Sequence, residues 1–278
     1  MAEKLSPNIH HRLNIVIASW SEWTPAPITK PVLKSQLGGL TNLSFLVTDE
    51  NACWVVRLND DIIDNGISRQ HELAAITAAY HAAIAPRVVY SERDFFVTEF
   101  LSGDSPSLED IAEIGRLFAK IHSLDVSTQP IDLLAHLKAY QRQAFDQQIK
   151  HEKDVADCFD RVMALPKPKI MTQALCHQDL TLPNMIKTKD RIVAVDWEYA
   201  RQSDPAYDLA VFTYTHELNQ KQSSELLHSY ARVEPELTSR IDYFEKVYAM
   251  IEIFWRLIRG KKIDISKLQA LLDTRKLN

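Results

Sequence analysis

The sequence predicts an α+β protein in which a small antiparallel sheet is followed by a mostly helical region. Five short β-prone runs, with one helix among them, lie before Leu101, and helical periodicity dominates after Gly103. A polar loop and a short hairpin interrupt the helical part between Leu175 and Ala200. Strands followed by helices are typical of an α+β fold. We therefore expect an N-terminal lobe of residues 1–101 and a C-terminal lobe of residues 102–278.

The composition is that of a soluble globular protein. Of the 278 residues, 46% are hydrophobic and 25% are charged, and the formal net charge is −5 without a long basic run. Cys53, Cys158 and Cys176 are scattered and form no CxxC pair, which favours a reducing compartment. The first residues lack the apolar core of a signal peptide, and no segment reaches transmembrane length. We expect a cytoplasmic protein without nucleic-acid or membrane partners.

The glycine pattern argues against several common enzyme folds. Only six glycines occur, where average usage would give roughly 19. The patterns GxGxxG, GxxxxGK[ST] and GxSxG are all absent. A Rossmann dehydrogenase, a P-loop NTPase and an α/β-hydrolase are therefore disfavoured.

Periodicity and turn residues predict the individual elements. A leading helix spans Asn8 to Trp23, and a second, Ala-rich helix runs from Arg69 to about Ala83. Beyond Gly103, Ser107 caps a helix, two more helical stretches fill Ile131 to Leu165, and Asp204 caps a helix that begins at Pro205. The predicted strands of the first region are Val32–Leu37, Leu43–Thr48, Cys53–Leu58, Ala85–Tyr90 and Phe95–Phe100.

The segment from Leu175 to Ala200 carries the residues that point to chemistry. Gln178 to Asn184 has no helical period, and it leads into two β-prone runs separated by the turn Thr188–Arg191. Antiparallel pairing of these runs would bring Asp196 back towards Asn184. Two carboxylates, Asp179 and Asp196, and one carboxamide would then converge. Phosphoryl transfer needs such a set, because a carboxylate orients the attacking hydroxyl and hard oxygen ligands hold Mg²⁺.

The same residues resemble a known family. His177-Gln178-Asp179-Leu180 with Asn184, followed by Asp196-Trp197-Glu198-Tyr199-Ala200, is similar to the loops of the aminoglycoside phosphotransferase and choline kinase superfamily. The resemblance implies a two-lobed, protein-kinase-like fold and the cofactors ATP and Mg²⁺. It implies Asp179 as catalytic base, with His177 bracing its loop, and Asn184 and Asp196 as metal ligands.

The resemblance extends to the N-terminal lobe, where it implies nucleotide binding. Gly38-Gly39-Leu40-Thr41-Asn42 lies at the tip of a predicted hairpin and is similar to the nucleotide loop of choline and ethanolamine kinases. Arg57 ends the third strand where the family places its phosphate-pairing cation, and Glu72 is the expected carboxylate partner. Glu99 and Leu101 belong to the connector whose backbone meets adenine in the family.

The C-terminal lobe is expected to bind a small alcohol that carries a positive charge. Within the run Asp-Pro-x-x-Asp-Leu-Ala, the resemblance implies that Asp208 braces the catalytic loop, with substrate contact as a second role. Ring faces and carboxylates are what a quaternary ammonium requires. The candidates for the acceptor site are Glu198, Glu217, Glu252, Tyr214, Tyr248 and Trp255.

Several functions remain open at this point. Choline or ethanolamine ranks first as the acceptor, thiamine second because bacterial thiamine kinases share a similar Asp-Trp-Glu-Tyr-Ala, and an aminoglycoside third. A nucleotide-binding pseudokinase without turnover is the alternative from another class. A metal-dependent hydrolase built on His177, Asp179, Asp196 and His216 is disfavoured, because the sequence has no HxH or HExxH pattern.

Overall fold

The computed structural model describes residues 6–37, 43–59, 67–147, 153–169, 172–232 and 235–273. Within these residues an antiparallel sheet occupies the N-terminal part and helices dominate the C-terminal part. The predicted α+β fold is confirmed. None of the described helices is long and apolar enough to cross a membrane.

The N-terminal sheet has five strands in the order β1-β2-β3-β5-β4, and all neighbours are antiparallel. In β3, alternate residues are buried, with Trp54, Val56 and Leu58 on the face that packs in the core. Arg57 therefore lies on the opposite face. The strands are β1 (Val32–Leu37), β2 (Leu43–Thr48), β3 (Cys53–Leu58), β4 (Val88–Glu92) and β5 (Phe95–Glu99).

Helix α1 (Pro7–Ala18) packs against the buried face of this sheet. Ser6 caps its first turn, and Leu13, Val16 and Ile17 join the buried strand residues in one hydrophobic cluster. The helix is shorter than predicted, because the chain leaves it at Ser19 and continues as a 3₁₀ turn, Trp20–Glu22. The apolar periodicity continues through Trp20, but this residue belongs to the tighter turn.

Helix α2 (Arg69–His81) lies between β3 and β4 in the chain, with Ser68 as its N-cap. Its buried residues Ala75, Ile76 and Ala79 join the second, larger hydrophobic cluster, which is otherwise built mainly by the C-terminal helices. The apolar face of α2 therefore packs towards the helical region. The boundary at residues 101 and 102 remains a proposal.

The C-terminal region places two small strand pairs within a helical frame. Strands β6 (Ala174–Cys176) and β9 (Arg201–Ser203) pair with each other, and β7 (Met185–Lys187) pairs with β8 (Ile192–Ala194). The last pair is the hairpin expected from the sequence. The helices are α3 (Ile111–Ile121), α4 (Leu133–Asp146), α5 (Lys153–Met163), α6 (Pro205–Thr215), α7 (Gln220–Tyr230), α8 (Leu237–Ile258) and α9 (Ser266–Asp273).

Capping explains where these helices begin. Asp204 accepts a hydrogen bond from the Ala206 amide and starts α6 at Pro205, as predicted. Asp132 caps α4, which therefore begins two residues later than Ile131. Ser107 caps a 3₁₀ turn, Leu108–Asp110, that leads into α3. Helix α6 is buried along nearly its whole length and packs against the Leu175–Ala200 segment.

Candidate active site

A cavity of about 990 Å³ lies between the sheet and the helical region. Strand residues of β3 and β5 line one end, and residues of α4, α6 and α8 line the other. Asp179, Asn184 and Asp196 lie in the wall between these ends. The cavity therefore has room for two ligands on either side of one set of polar groups.

The loop before the β7–β8 hairpin brings these polar groups together. Asn184 ends a 3₁₀ turn, and its Nδ2 donates to Asp179 Oδ2 (2.9 Å) and to the Asp179 carbonyl (2.8 Å). On the returning strand, the Val195 amide donates to the Asn184 carbonyl (2.9 Å). Asp196 follows directly, so the convergence expected from the hairpin is present. Asp196 has a φ of 62°, and such left-handed backbone at a non-glycine residue is uncommon and often found at functional sites.

The environment of Asp179 changes its acidity. Burial, together with the negative charge of Asp196, raises the pKa of Asp179 to about 7. The hydrogen bond from Asn184 acts in the opposite direction but is weaker. A carboxyl group with this pKa can accept a proton at neutral pH more readily than an ordinary aspartate, because its conjugate acid is weaker.

Asp208 holds the backbone of the loop that precedes Asp179. Its two carboxylate oxygens accept the backbone amides of His177 (2.8 Å) and Gln178 (2.7 Å). His122 of α3 lies 3.1 Å from the same carboxylate and 2.8 Å from the Tyr230 hydroxyl. Asp208 is fully buried and is absent from the cavity wall. Asp208 therefore supports the loop from outside the cavity, as expected for a brace, and its substrate contact stays a prediction.

His177 is also a brace rather than a reacting group. Its ring is buried, and Nε2–H donates to the Val195 carbonyl (3.0 Å), which ties the loop to the end of β8. The ring packs against Trp197 with 4.8 Å between ring centres. Burial lowers the pKa of His177, so the neutral ring is favoured.

His216 is a second brace, which sequence reasoning weighed only as a metal ligand. The Leu182 amide donates to His216 Nε2 (3.1 Å), so this nitrogen carries no proton. Burial, and then the charge of Lys267, lower the pKa of His216 and keep it neutral. Nε2 of His177 and Nε2 of His216 thus bond to the backbone, and among the described residues these two histidines form no metal-ligand group with Asp179 and Asp196.

Arg57 faces these groups from the sheet. Its guanidinium forms a very short ion pair with Glu72 of α2, and its Nη1 lies 2.8 Å from Asp196 Oδ1. Burial opposes the charged form of Arg57, but the charges of Glu72, Asp196 and Glu198 outweigh it and raise its pKa. The expected Arg57–Glu72 pair is present, and the guanidinium is fixed beside Asp196.

Glu198 does not reach the acceptor end of the cavity. Its side chain is 2% exposed, and Oε2 lies 3.4 Å from Arg69 Nη1 at the start of α2. Glu198 is absent from the cavity wall. The side chain of Glu198 therefore turns towards α2, and its contact with the substrate stays a prediction.

The sheet end of the cavity is mostly apolar. Val55, Phe96 and Leu101 line it, together with the segment around Glu99. Glu99 is tied to Arg87 by two hydrogen bonds: its carboxylate accepts the Arg87 amide (2.9 Å), and its own amide donates to the Arg87 carbonyl (2.9 Å). The Gly38–Asn42 segment, expected to bind phosphate, lies outside the described residues.

The helical end of the cavity is aromatic and carries an acid. Tyr140, Tyr207 and Tyr248 line it, and Tyr207 and Tyr248 meet edge to face with 6.2 Å between ring centres. Burial, followed by the charges of Asp179 and Glu252, raises the pKa of Tyr248. Tyr248 and Glu252 are therefore where the sequence placed them, in the wall close to Asp179.

Three other residues expected at the acceptor site lie next to cations of the chain itself. Glu217 is 74% exposed, pairs with Lys267 (3.1 Å) and is absent from the cavity wall. Tyr214 is likewise absent from the wall, and its ring is covered by Lys267 at 3.9 Å. Trp255 does line the cavity, but Arg259 (4.3 Å) and Lys261 (4.5 Å) lie over its ring. The chain's own cations thus occupy ring surface that the sequence had assigned to the acceptor.

The donor set fits Mg²⁺. The side-chain nitrogen of Asn184 donates to Asp179, which leaves its side-chain oxygen for another partner. Asp196 uses Oδ1 towards Arg57. Carboxylate and amide oxygens are hard ligands that Mg²⁺ prefers, and the excess negative charge that raises the Asp179 pKa would be neutralised by a divalent cation.

Comparisons with known proteins show which proteins this chain is similar to. The model of the phosphotransferase enzyme family matches residues 33–241. The LicA homolog of Metamycoplasma hominis is 28% identical over 52% of this chain and 60% of its own length. Thiamine kinase of Escherichia coli O157:H7 is 26% identical over 69% of each chain. The match to the LicA homolog thus covers less than two thirds of that relative's length.

Solved structures with low identity share the fold. Choline kinase LicA from Streptococcus pneumoniae has a TM-score of 0.76 at 19% identity, covering 95% of this chain and 98% of that one. A structure of LicA in complex with AMP has a TM-score of 0.74 at 19% identity, covering 93% and 96%. The kinase-like fold expected from the sequence is thereby confirmed. Because the family model spans most of the chain, the protein belongs to the phosphotransferase enzyme family.

Proposed function

We propose that this protein transfers the γ-phosphoryl group of ATP to the hydroxyl of a small cationic metabolite, with choline or ethanolamine as the first candidate. The observation that carries the proposal is the meeting of Asp179, Asn184 and Asp196 in one cavity wall, opposite Arg57. The sheet end would hold the nucleotide and the helical end the acceptor. The in-line geometry of phosphoryl transfer needs donor and acceptor on two sides of one centre.

The nucleotide end suits ATP with Mg²⁺. Asn184 and Asp196 would hold the metal, whose charge would neutralise the phosphate oxygens during transfer. Arg57 is positioned to pair with a phosphate, since its guanidinium is already held by Glu72 and points towards Asp196. The similar fold of LicA, which has been solved in complex with AMP, supports a nucleotide as a ligand.

Asp179 is the proposed base. Its carboxylate is oriented by Asn184 and borders the aromatic end of the cavity. In the reaction it would orient the acceptor hydroxyl and accept its proton as the oxygen attacks the γ-phosphorus. The raised pKa of about 7 suits this role, because general-base catalysis is most effective when the pKa lies near the working pH.

A cationic acceptor suits the helical end. Tyr140, Tyr207 and Tyr248 supply aromatic surface, and the carboxylates of Asp179 and Glu252 supply negative potential. Glu252 is also paired with Arg256 at 2.8 Å, so its charge is partly compensated. Since Trp255 is covered by Arg259 and Lys261, we assign cation recognition to the tyrosines.

Thiamine is the second candidate, supported by the 26% identity to a thiamine kinase over 69% of each chain. Both candidates carry a positive charge and a primary hydroxyl, so the same residues would act in either case. The volume of the cavity favours neither candidate, because about 990 Å³ accommodates a nucleotide together with either acceptor.

The test is ADP release with Mg·ATP and a panel of choline, ethanolamine, thiamine, an aminoglycoside, a neutral sugar and serine. The proposal predicts turnover that is highest with a cationic alcohol and depends on both the alcohol and Mg²⁺. Turnover with only the sugar would refute the cationic acceptor. If none of the alcohols in the panel supports turnover, the kinase function is refuted for this class of acceptors. Asp179→Asn serves as the matched inactive control.

A further inference from the structure

The start of helix α2 carries a cation that no motif assigns. Arg69 is the first residue of α2, and its Nη1 lies 2.8 Å from Glu72 Oε2 and 3.4 Å from Glu198 Oε2. Both carboxylate side chains are 2% exposed. Arg69 therefore joins a buried acid of α2 to a buried acid of the Asp-Trp-Glu segment.

These contacts close a ring of charges. Glu72 divides its two oxygens, with Oε1 on Arg57 and Oε2 on Arg69. Arg57 in turn reaches Asp196, which is separated from Glu198 by Trp197 alone. The ring thus runs from Asp196 through Arg57, Glu72 and Arg69 to Glu198, and the Asp-Trp-Glu segment completes it.

Each member of the ring depends on the others. The ring contains three carboxylates and two guanidinium groups, so removal of Arg69 takes away one of its two positive charges. Buried carboxylates that lose a partner are strongly destabilised, and they either move towards water or take up a proton. Loss of Arg69 would therefore shift Glu198 and with it the backbone that presents Asp196.

We propose that Arg69 is a positioning residue that locks α2 to the Asp-Trp-Glu segment, so that the phosphate-pairing Arg57 and the metal-binding Asp196 are placed as one unit. The inference rests on the proposed phosphoryl transfer. Arg69 does not line the cavity in which nucleotide and acceptor are proposed to bind. It acts through Glu72 on Arg57 and through Glu198 on Asp196.

A double-mutant cycle with Arg69→Gln and Glu198→Gln tests this role. Each single change should lower kcat/KM for Mg·ATP ten- to hundredfold and raise the Mg²⁺ concentration needed for half-maximal rate. KM for the acceptor should change less than threefold, which a general loss of structure would not give. The double variant should be no more than threefold worse than the poorer single variant, because both changes break the same link.

The controls separate positioning from folding. Arg161→Gln removes an exposed ion pair with Asp273 and should leave all constants within twofold of wild type. Arg69→Lys keeps one charge but loses the forked geometry, so it should recover only part of the rate. If Arg69→Gln does not fold, the cycle is run with Arg69→Lys.

The outcomes distinguish this inference from the function on which it rests. Two results would overturn the positioning role while leaving the kinase function intact. In the first, the effects of the Arg69 and Glu198 changes on kcat/KM multiply independently. In the second, kcat/KM of Arg69→Gln stays within threefold of wild type. A wild-type protein without alcohol-dependent turnover would refute the function instead. In that case the same cycle is measured by thermal melting, as the rise in melting temperature on addition of Mg²⁺ and a non-hydrolysable ATP analogue. This measurement still decides whether the two residues are coupled.

Discussion

Replacing Asp179 with Asn should stabilise the protein at neutral and alkaline pH while it removes activity. The Asp179 carboxyl has a pKa of about 7 in the native protein, against an ordinary value of 3.8, because it is buried beside Asp196. An acid whose native pKa is raised binds its proton more tightly in the folded chain than in the unfolded chain. Its favourable contribution to stability is therefore present at low pH and is lost as pH rises from about 4 to about 7.

The magnitude follows from this pKa difference. A difference of about three in pKa corresponds to about 4 kcal/mol, lost at about 1.4 kcal/mol per pH unit. Asn cannot ionise, yet its side-chain oxygen can still accept the hydrogen bond from Asn184. Near pH 4, the free energy of unfolding of the Asn variant should therefore equal that of wild type or be lower. Its relative stability should rise by up to about 4 kcal/mol by pH 8.

Urea unfolding at several pH values, in metal-free buffer, measures this difference directly. Mg²⁺ is left out because a bound cation would favour the ionised carboxylate and reduce the effect. In parallel, kcat should fall by ~10²–10⁴ as the proton acceptor is lost. A difference in unfolding free energy that stays constant between pH 4 and pH 8 would refute the assignment of a raised pKa to Asp179. Near-normal turnover would refute its role as base.

Three further predictions concern the metal, the acceptor and the loop brace. Asp196→Ala should abolish Mg²⁺-dependent activity and Asn184→Ala should raise the Mg²⁺ requirement, whereas unchanged Mg²⁺ titrations in both variants would contradict the metal assignment. Tyr248→Ala should raise KM for the preferred cationic alcohol by roughly two- to thirtyfold, from a cation–π loss of ~0.5–2 kcal/mol, and Tyr248→Phe, which keeps the ring, should stay within threefold of wild type. Equal KM values for these two variants would argue against ring recognition. Because the pKa of His216 is lowered by burial and by Lys267, the contribution of His216 to stability should fall as pH drops below about 6.5. His216→Phe lacks this contribution, so its melting temperature relative to wild type should rise as pH drops below about 6.5; a difference that does not change with pH would count against the brace.

The parts of the fold that depend on local pattern could be predicted from the sequence. Strands Val32–Leu37, Leu43–Thr48 and Cys53–Leu58 have the predicted bounds, because β-prone runs are separated there by turn-forming residues. The meeting of Asn184 with Asp196 was also predictable, since a hairpin fixes the register of two strands that are adjacent in sequence. Local geometry alone placed these two side chains.

The acceptor end could be predicted only in part, because it depends on how distant helices pack. Glu217 and Trp255 both lie on or beside helices of the predicted type, yet Lys267 pairs with the first and Arg259 and Lys261 cover the second. Nothing in the local pattern indicates that Lys267 of α9 reaches Tyr214 and Glu217 at the end of α6. The partner of Glu198 could not be predicted for the same reason, since Arg69 lies 129 positions away in the chain.

Two supporting residues were overlooked although a signal for one of them existed. Arg69 precedes Glu72 by three residues, a spacing that puts both on one face of a helix. This spacing could have identified Arg69 as a partner of Glu72. His216 gave no such signal, because its bond to the Leu182 amide joins α6 to a loop far away in sequence.

The most direct test of the proposed function is identification of the product. Wild-type protein, Mg·ATP and choline are incubated and followed by ³¹P NMR, with ethanolamine and thiamine in parallel samples. The account predicts a new phosphomonoester signal from at least one of these alcohols, formed in equal amount to ADP and absent with Asp179→Asn. Release of inorganic phosphate at a rate independent of every alcohol, with no phosphomonoester formed, would contradict it.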